Sequence, residues 1–164
     1  MTISVHLSPS NPSEHEPGHM AAAWAMVPDA RHFRGFVFDV SDLPEEFQTA
    51  ERWRDYLFDH TVPGHVIQDK RMAALVRHRR DSLLSQEWAA EPAQVRELES
   101  LTKTGQAGRY SFNPDDHPGC HNCVTWATEV VNNALGQVLP RVRQGRIKLM
   151  TEVLRAQPNK PEPA

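Results

Sequence analysis

Cys120 and Cys123 are the only cysteines of the chain, and they lie together in His117-Pro118-Gly119-Cys120-His121-Asn122-Cys123-Val124. A Pro-Gly turn precedes the pair, and an apolar, helix-like run from Val124 to Leu135 follows it. Cys123 therefore falls at a helix start, with Asn122 placed to cap it. Unpaired N–H groups and the positive end of the macrodipole meet there, and both favour a thiolate, the nucleophilic form of cysteine. A small buried hydrophobe is the competing reading of the same residue. Zinc is the rival chemistry, through His117, Cys120, His121 and Cys123. A structural zinc site usually takes its second ligand pair from a separate segment, and no other cysteine is present to supply one. A redox Cys-x-x-Cys calls for a strand-turn-helix in a βαβ pattern, which the sequence does not display.

A nucleophilic thiol needs a base, usually a histidine oriented by a polar third group. Of the nine histidines, His19 stands out. Gly18 precedes it, and the apolar run Met20 to Val27 after it reads as a buried strand. Arg31 to Val40 is aromatic and β-branched and reads as a second strand, with Pro28-Asp29-Ala30 as the hairpin turn. Pairing one residue against one about that turn sets partners whose numbers sum to about 58–60. His19 then lies beside Asp39, and a carboxylate there would orient the imidazole and favour its charged form. The competing readings are a surface histidine at a loop exit and a solvated strand-end carboxylate. Gln68, His65 and Asp69 are lesser candidates for the polar third residue or for an oxyanion donor.

The rest of the chain must hold these groups in place. Thr2 to Leu7 alternates and reads as a short strand, and Ser8 to Gly18 reads as a loop. Asp42 to Phe47 turns into a helix over Thr49 to Asp59. Val62-Pro63-Gly64 reads as a turn, and His65 to Asp69 as a short strand. Arg71 to Leu84 reads as an amphipathic helix or an extended insert. Glu91 to Leu101 is the clearest helix, with proline in its first turn and Val95, Leu98 and Leu101 on one face. Gly105 and Gly108 end it, and Arg109 to Asn113 is extended. Gly136 can close the cysteine helix, and Arg146 to Leu154 forms one more. Residues 1–155 read as a single domain and residues 156–164 as a flexible, proline-rich tail.

Charged residues make up 24% and hydrophobic residues 39% of the 164, which suits a globular chain of one domain. A net charge of -3 gives no reason to expect nucleic acid as partner. The cluster Arg77-His78-Arg79-Arg80 reads as a solvated face, with a protein partner as the alternative. Two cysteines make no disulfide framework, no run is long enough to span a membrane, and no signal-peptide pattern opens the chain. The expectation is a cytoplasmic protein, or one exported by a specialised secretion system. No Gly-rich phosphate loop is present, and neither a cofactor nor a resident metal is expected.

Taken together, Gly18-His19 opening an apolar strand, the Arg34-Gly35-Phe36 strand, the Pro92-x-Gln94-x-x-x-Leu98 helix, the extended Tyr110-Ser111-Phe112 and Asn122-Cys123 at a helix head form a pattern. It resembles the circularly permuted papain-like proteins of the NlpC-type superfamily, in which histidine precedes cysteine. The likeness spans about residues 18–136. It implies an α+β fold, with a small antiparallel β-sheet packed against helices and the cysteine helix lying on the sheet. It also implies a thiolate at Cys123, a base at His19 and a third residue that best maps to Asp39. Activities in the family include peptidase, amidase, thioesterase and acyltransferase, on peptide, peptidoglycan or lipid carbonyls. The helix-start N–H of Cys123 or Val124 would stabilise the oxyanion, with Asn122 and Gln68 as further candidates for oxyanion or substrate contacts. The alternative is a zinc-binding or structural interaction module built on the His117/Cys120/His121/Cys123 loop.

Overall fold

The computed structural model of the protein describes residues 1–9, 18–27 and 30–157. The loop expected between Ser8 and Gly18, the turn residues Pro28 and Asp29, and most of the expected tail lie outside them. Strands run over Thr2–Ser8 (β1), His19–Ala25 (β2) and Arg31–Phe38 (β3). Helix α1 (Ala50–Leu57), strand β4 (Val62–Gln68), helix α2 (Lys70–His78) and strand β5 (Leu84–Ala89) follow. Next come α3 (Pro92–Leu101), β6 (Gly105–Tyr110), β7 (Cys120–His121), α4 (Cys123–Leu135) and α5 (Ile147–Ala156). The fold class is α+β. A curled sheet of seven strands, in the order β5-β1-β2-β3-β4-β6-β7, packs against the helices. The sheet is mixed and not purely antiparallel, because β7 runs parallel to β6.

Alternation on β1 sets the core. Ile3, Val5 and Leu7 are fully buried and share their face with Met20, Ala22 and Trp24 of β2. Onto this face packs α4, whose Val124, Ala127 and Val131 have almost no exposure. Gly136 closes α4 at a φ of 91°, a conformation that favours glycine. The opposite face of β1 carries Ser4 and His6. His6 bonds Ser4 Oγ at 2.9 Å and Ser85 Oγ at 2.8 Å, so this buried imidazole is fully partnered. Burial, with the charges of Arg31 and Arg80, pushes its pKa down to about 3 and keeps it neutral.

Three local expectations change. The helix expected over Arg71 to Leu84 is present as α2 but stops at His78, and Leu84 opens β5, a strand the sequence did not signal. It lacks β-branched residues, and its core-facing position opposite Val5 is Gln86, only 1% exposed. Val62-Pro63-Gly64 belongs to β4 and is not a turn. Pro63 sits at a register shift against β6, where a missing N–H is tolerated. Gly64 is required there because a Cβ would stand 2.1 Å from the Phe36 ring. Gly105 and Gly108 lie inside β6 and do not merely end the helix before it.

The feature that makes the site is a split in the sheet. The ladder between β2 and β3 runs from Ala25↔Arg31 only as far as Ala22↔Arg34. Beyond it, the first residues of β2 stay with β1, through Ser8↔His19, while Gly35 to Phe38 of β3 stay with β4. A cleft opens where the two halves part, and Gly18, His19, Phe36 and Phe38 line it.

Candidate active site

Asn122 fixes the start of α4. Its Oδ1 accepts from the N–H groups of Val124 and Thr125, both at 3.0 Å, and Thr125 Oγ1 accepts from the Asn122 N–H in return. This reciprocal capping box satisfies the first donors of the helix and leaves Cys123 at its mouth. Asn122 Nδ2 donates to the carbonyls of Gln144 and Gly145, both at 3.1 Å. That bond straps the segment before α5 across the nucleophile's turn. Gly145 has a φ of 55°, and a Cβ there would collide with the Asn122 amide.

His19 opens β2 on the far side of the cleft. Its Nε2–H donates to Asp69 Oδ2 at 2.5 Å, with the two side chains 17% and 2% exposed. That leaves Nδ1 free of the carboxylate, on a ring whose titration Cys123 also influences. Asp69 follows β4 directly. Its N–H bonds the Phe33 carbonyl, and its Oδ1 caps α2 by accepting from the Met72 N–H at 2.8 Å. One carboxylate thus orients the histidine and starts a helix. Gly35 makes room for this, since a Cβ at that position would stand 2.3 Å from Asp69 Oδ2 and 3.2 Å from His19 Nε2.

Asp39 is elsewhere. It is exposed, and its Oδ1 accepts from the N–H and the hydroxyl of Ser41, capping a short 3-10 turn at Val40–Asp42. Partners in the β2–β3 hairpin have numbers summing to 56, as in Ala22↔Arg34. The register therefore falls short of the expected one, and the ladder stops before His19. The carboxylate at His19 is Asp69, which comes from the strand on the other side of β3.

The charges follow from this arrangement. Burial alone would pull His19 down, but its bond to Asp69 and the charges of Cys123 and Asp69 outweigh burial and raise its pKa to about 10. Burial pulls Asp69 up, and the bond to His19, the imidazolium charge, the Met72 N–H and the Arg71 charge more than reverse it, so the carboxyl titrates low. The histidine's contribution to folding is complete below about 6.5 and is lost as pH rises through about 10. The contribution of Asp69 is present above the ordinary carboxylate range and is lost as pH falls through its lowered value.

Tyr110, the last residue of β6, is a member of the site to which the sequence reading gave no role. Its phenol and Cys123 act on one another's charge, and both line the cleft. Burial, then the charge of Cys123, pushes the phenol well above its usual range, so it stays protonated. The ring is held by stacking on Phe36 at 5.6 Å, and Phe36 stacks in turn on Trp126 of α4. The Val124 N–H is engaged by the Asn122 cap. Gln68 is exposed, pairs in register with Arg34 and does not line the cleft.

The other members of the cysteine cluster have separate partners. His117 Nε2 bonds the Phe58 carbonyl at 3.1 Å, and His121 lies between Thr125 Oγ1 at 3.0 Å and Glu129 at 2.6 Å. Cys120 is a buried free thiol in β7. Among the described residues, no three His, Cys, Asp or Glu side chains converge to hold a metal, and no helix is long and apolar enough to cross a membrane. The cleft around Cys123, His19 and Asp69 holds about 600 Å³. No protein-family model matches the chain, and no curated protein or solved structure is significantly similar to it.

Proposed function

We propose that the protein is a cysteine-nucleophile hydrolase (peptidase or amidase) or acyltransferase of papain-like, permuted organisation, with Cys123 as nucleophile, His19 as acid and base, and Asp69 as the orienting residue. One observation carries the reading. A single imidazole is hydrogen-bonded to a buried carboxylate and shares its cleft with a cysteine at a helix start, whose charge acts on the ring. An imidazolium and the positive end of a helix both favour the thiolate.

In this reading the Cys123 thiolate attacks a carbonyl carbon. A C–S bond forms, and the carbonyl electron pair moves to oxygen. The Tyr110 O–H, protonated and lining the cleft with Cys123, would be a donor to that charge. Collapse of the intermediate breaks the bond to the leaving group, which takes its proton from His19. Water or another acceptor, deprotonated by the now neutral His19, then attacks the thioester, and the thiolate departs. Peptide, peptidoglycan and lipid carbonyls are all within this chemistry. The protein would act in the cytoplasm or after export by a specialised secretion system.

An acyl-type thiol probe tests the assignment. It is expected to label Cys123 in preference to Cys120, and Cys123→Ala should abolish the labelling. His19→Ala should slow it by roughly 100-fold or more, with the circular dichroism spectrum unchanged. Equal labelling of the two cysteines, or full reactivity in His19→Ala, contradicts the proposal.

A further inference from the structure

The lining of the cleft is of two chemical kinds. One is aromatic. Phe38 meets Trp53 edge-on at 5.2 Å and Phe112 at 5.9 Å, and all three line the cleft. The Trp53 indole N–H is buried there without a hydrogen-bond partner among the described residues. The other is basic, with Arg146 and Lys148 at the start of α5, Arg54 on α1 and Arg71 on α2. Asp69 is the one carboxylate among the described lining residues, and His19 holds it. Among the described residues, Arg54, Arg146 and Lys148 form no ion pair. Arg146 is also close to the chemistry, because the preceding Gly145 carbonyl is bonded to Asn122, the residue before Cys123.

The split sheet adds a third feature. Asp69 N–H to Phe33 carbonyl marks residues 33, 35 and 37 of β3 as bonding toward β4. The N–H and C=O of Phe38 then point to the β2 side, past the end of that ladder at Ala22↔Arg34. An extended peptide can bond such a strand edge, whereas a hydrocarbon chain would leave it unmet.

We infer that the cleft takes a peptide acyl donor bearing a carboxylate beside an aromatic or aliphatic side chain. The carboxylate meets Arg146 and Lys148, and the apolar side chain meets the Phe38, Trp53 and Phe112 wall. The inference rests on the enzyme reading and adds its substrate class.

Peptidyl vinyl sulfones built on phenylalanine, with a neighbouring Glu, Gln or Lys, test it through their rates of Cys123 alkylation. The Glu probe should react roughly tenfold or more faster than the Gln probe, since a charge-assisted contact is stronger than a neutral one, and the Lys probe should be slowest. In a protein carrying Arg146→Gln and Lys148→Gln, both exposed positions, the Glu/Gln ratio should fall toward one. A hexadecyl vinyl sulfone bearing a phosphate tests the lipid alternative, and a faster reaction with it overturns the inference. So does an equal rate for Glu and Gln, or a ratio that survives the double substitution. Binding of the matching Phe-Glu and Phe-Gln amides to the Cys123→Ala protein, read by tryptophan fluorescence, separates the two claims. Preference for the Glu peptide without alkylation of intact protein supports the subsite and sinks the enzyme. Alkylation without preference in either assay sinks the subsite and leaves the enzyme.

Discussion

Asp69→Ala is expected to lower the reactivity of Cys123 toward an acyl-type probe by roughly 100-fold or more, because the imidazole loses the group that orients it and stabilises its charge. The carboxylate does two jobs at 2% exposure. Its Oδ2 holds the His19 imidazole, and its Oδ1 caps α2 through Met72. The substitution therefore also removes a helix cap, at a cost of about 1 kcal/mol in folding stability. Asp69→Asn separates the two effects. Asparagine caps a helix as well as aspartate does, but with its one carbonyl oxygen on the Met72 N–H it turns its NH2 toward His19, which then has neither an acceptor nor a charge to favour the imidazolium. Stability should return nearly to that of the parent, while reactivity should stay as low as in Asp69→Ala. Probe-labelling rates and urea unfolding on the same three proteins check this. Full reactivity in Asp69→Ala would mean that the carboxylate is there for α2 alone.

Gly35→Ala is expected to disable the site by volume. The φ of Gly35 is not positive, so the backbone accepts alanine there. The difficulty is the methyl group, placed 2.3 Å from Asp69 Oδ2 and 3.2 Å from His19 Nε2. Asp69 cannot yield easily, being held by Met72 and by the Phe33 carbonyl, so the pair must open or β3 must shift. Overpacking of this kind costs about 1–3 kcal/mol, and labelling should fall by roughly tenfold or more as the imidazole loses its orientation. Thermal unfolding and labelling kinetics measure both. A variant with parent-like labelling would show that the His19–Asp69 contact is dispensable.

How far the sequence reaches depends on the range of each interaction. The head of α4 was legible because its causes are local. Asn122, the capping partner Thr125 and the apolar run all lie within one helix and act on Cys123. Strand β1 was legible from alternation and β3 from aromatic and β-branched residues, and β2 from the Gly18 and Pro28-Asp29 that bound its apolar run and the strand that follows. Strand β5 was not, since its buried position opposite Val5 is a glutamine, and its place at the edge beside β1 is decided by pairing across about eighty positions. The third member of the site failed for a related reason. Hairpin arithmetic carried His19 to Asp39, yet the pairing register sums to 56 and the ladder ends three residues short. Asp69 arrives through β4, by a contact with the strand on the other side of β3. The local signal for it was present: an aspartate directly before the basic amphipathic helix, in the position of an N-cap. Tyr110 left no such signal. Its role comes from the stack of Phe36 and Trp126, which only the folded sheet assembles.

The central claim is that Cys123, His19 and Asp69 work as one charged unit, and an NMR titration of the His19 imidazole tests it most directly. The account predicts that this ring stays protonated through neutral pH and loses its proton near pH 10. It also predicts that the transition moves down in Cys123→Ala and in Asp69→Ala, because burial alone pulls the imidazole below its ordinary range. A His19 that titrates at or below about 6.5 in the intact protein, unmoved by either substitution, would contradict it.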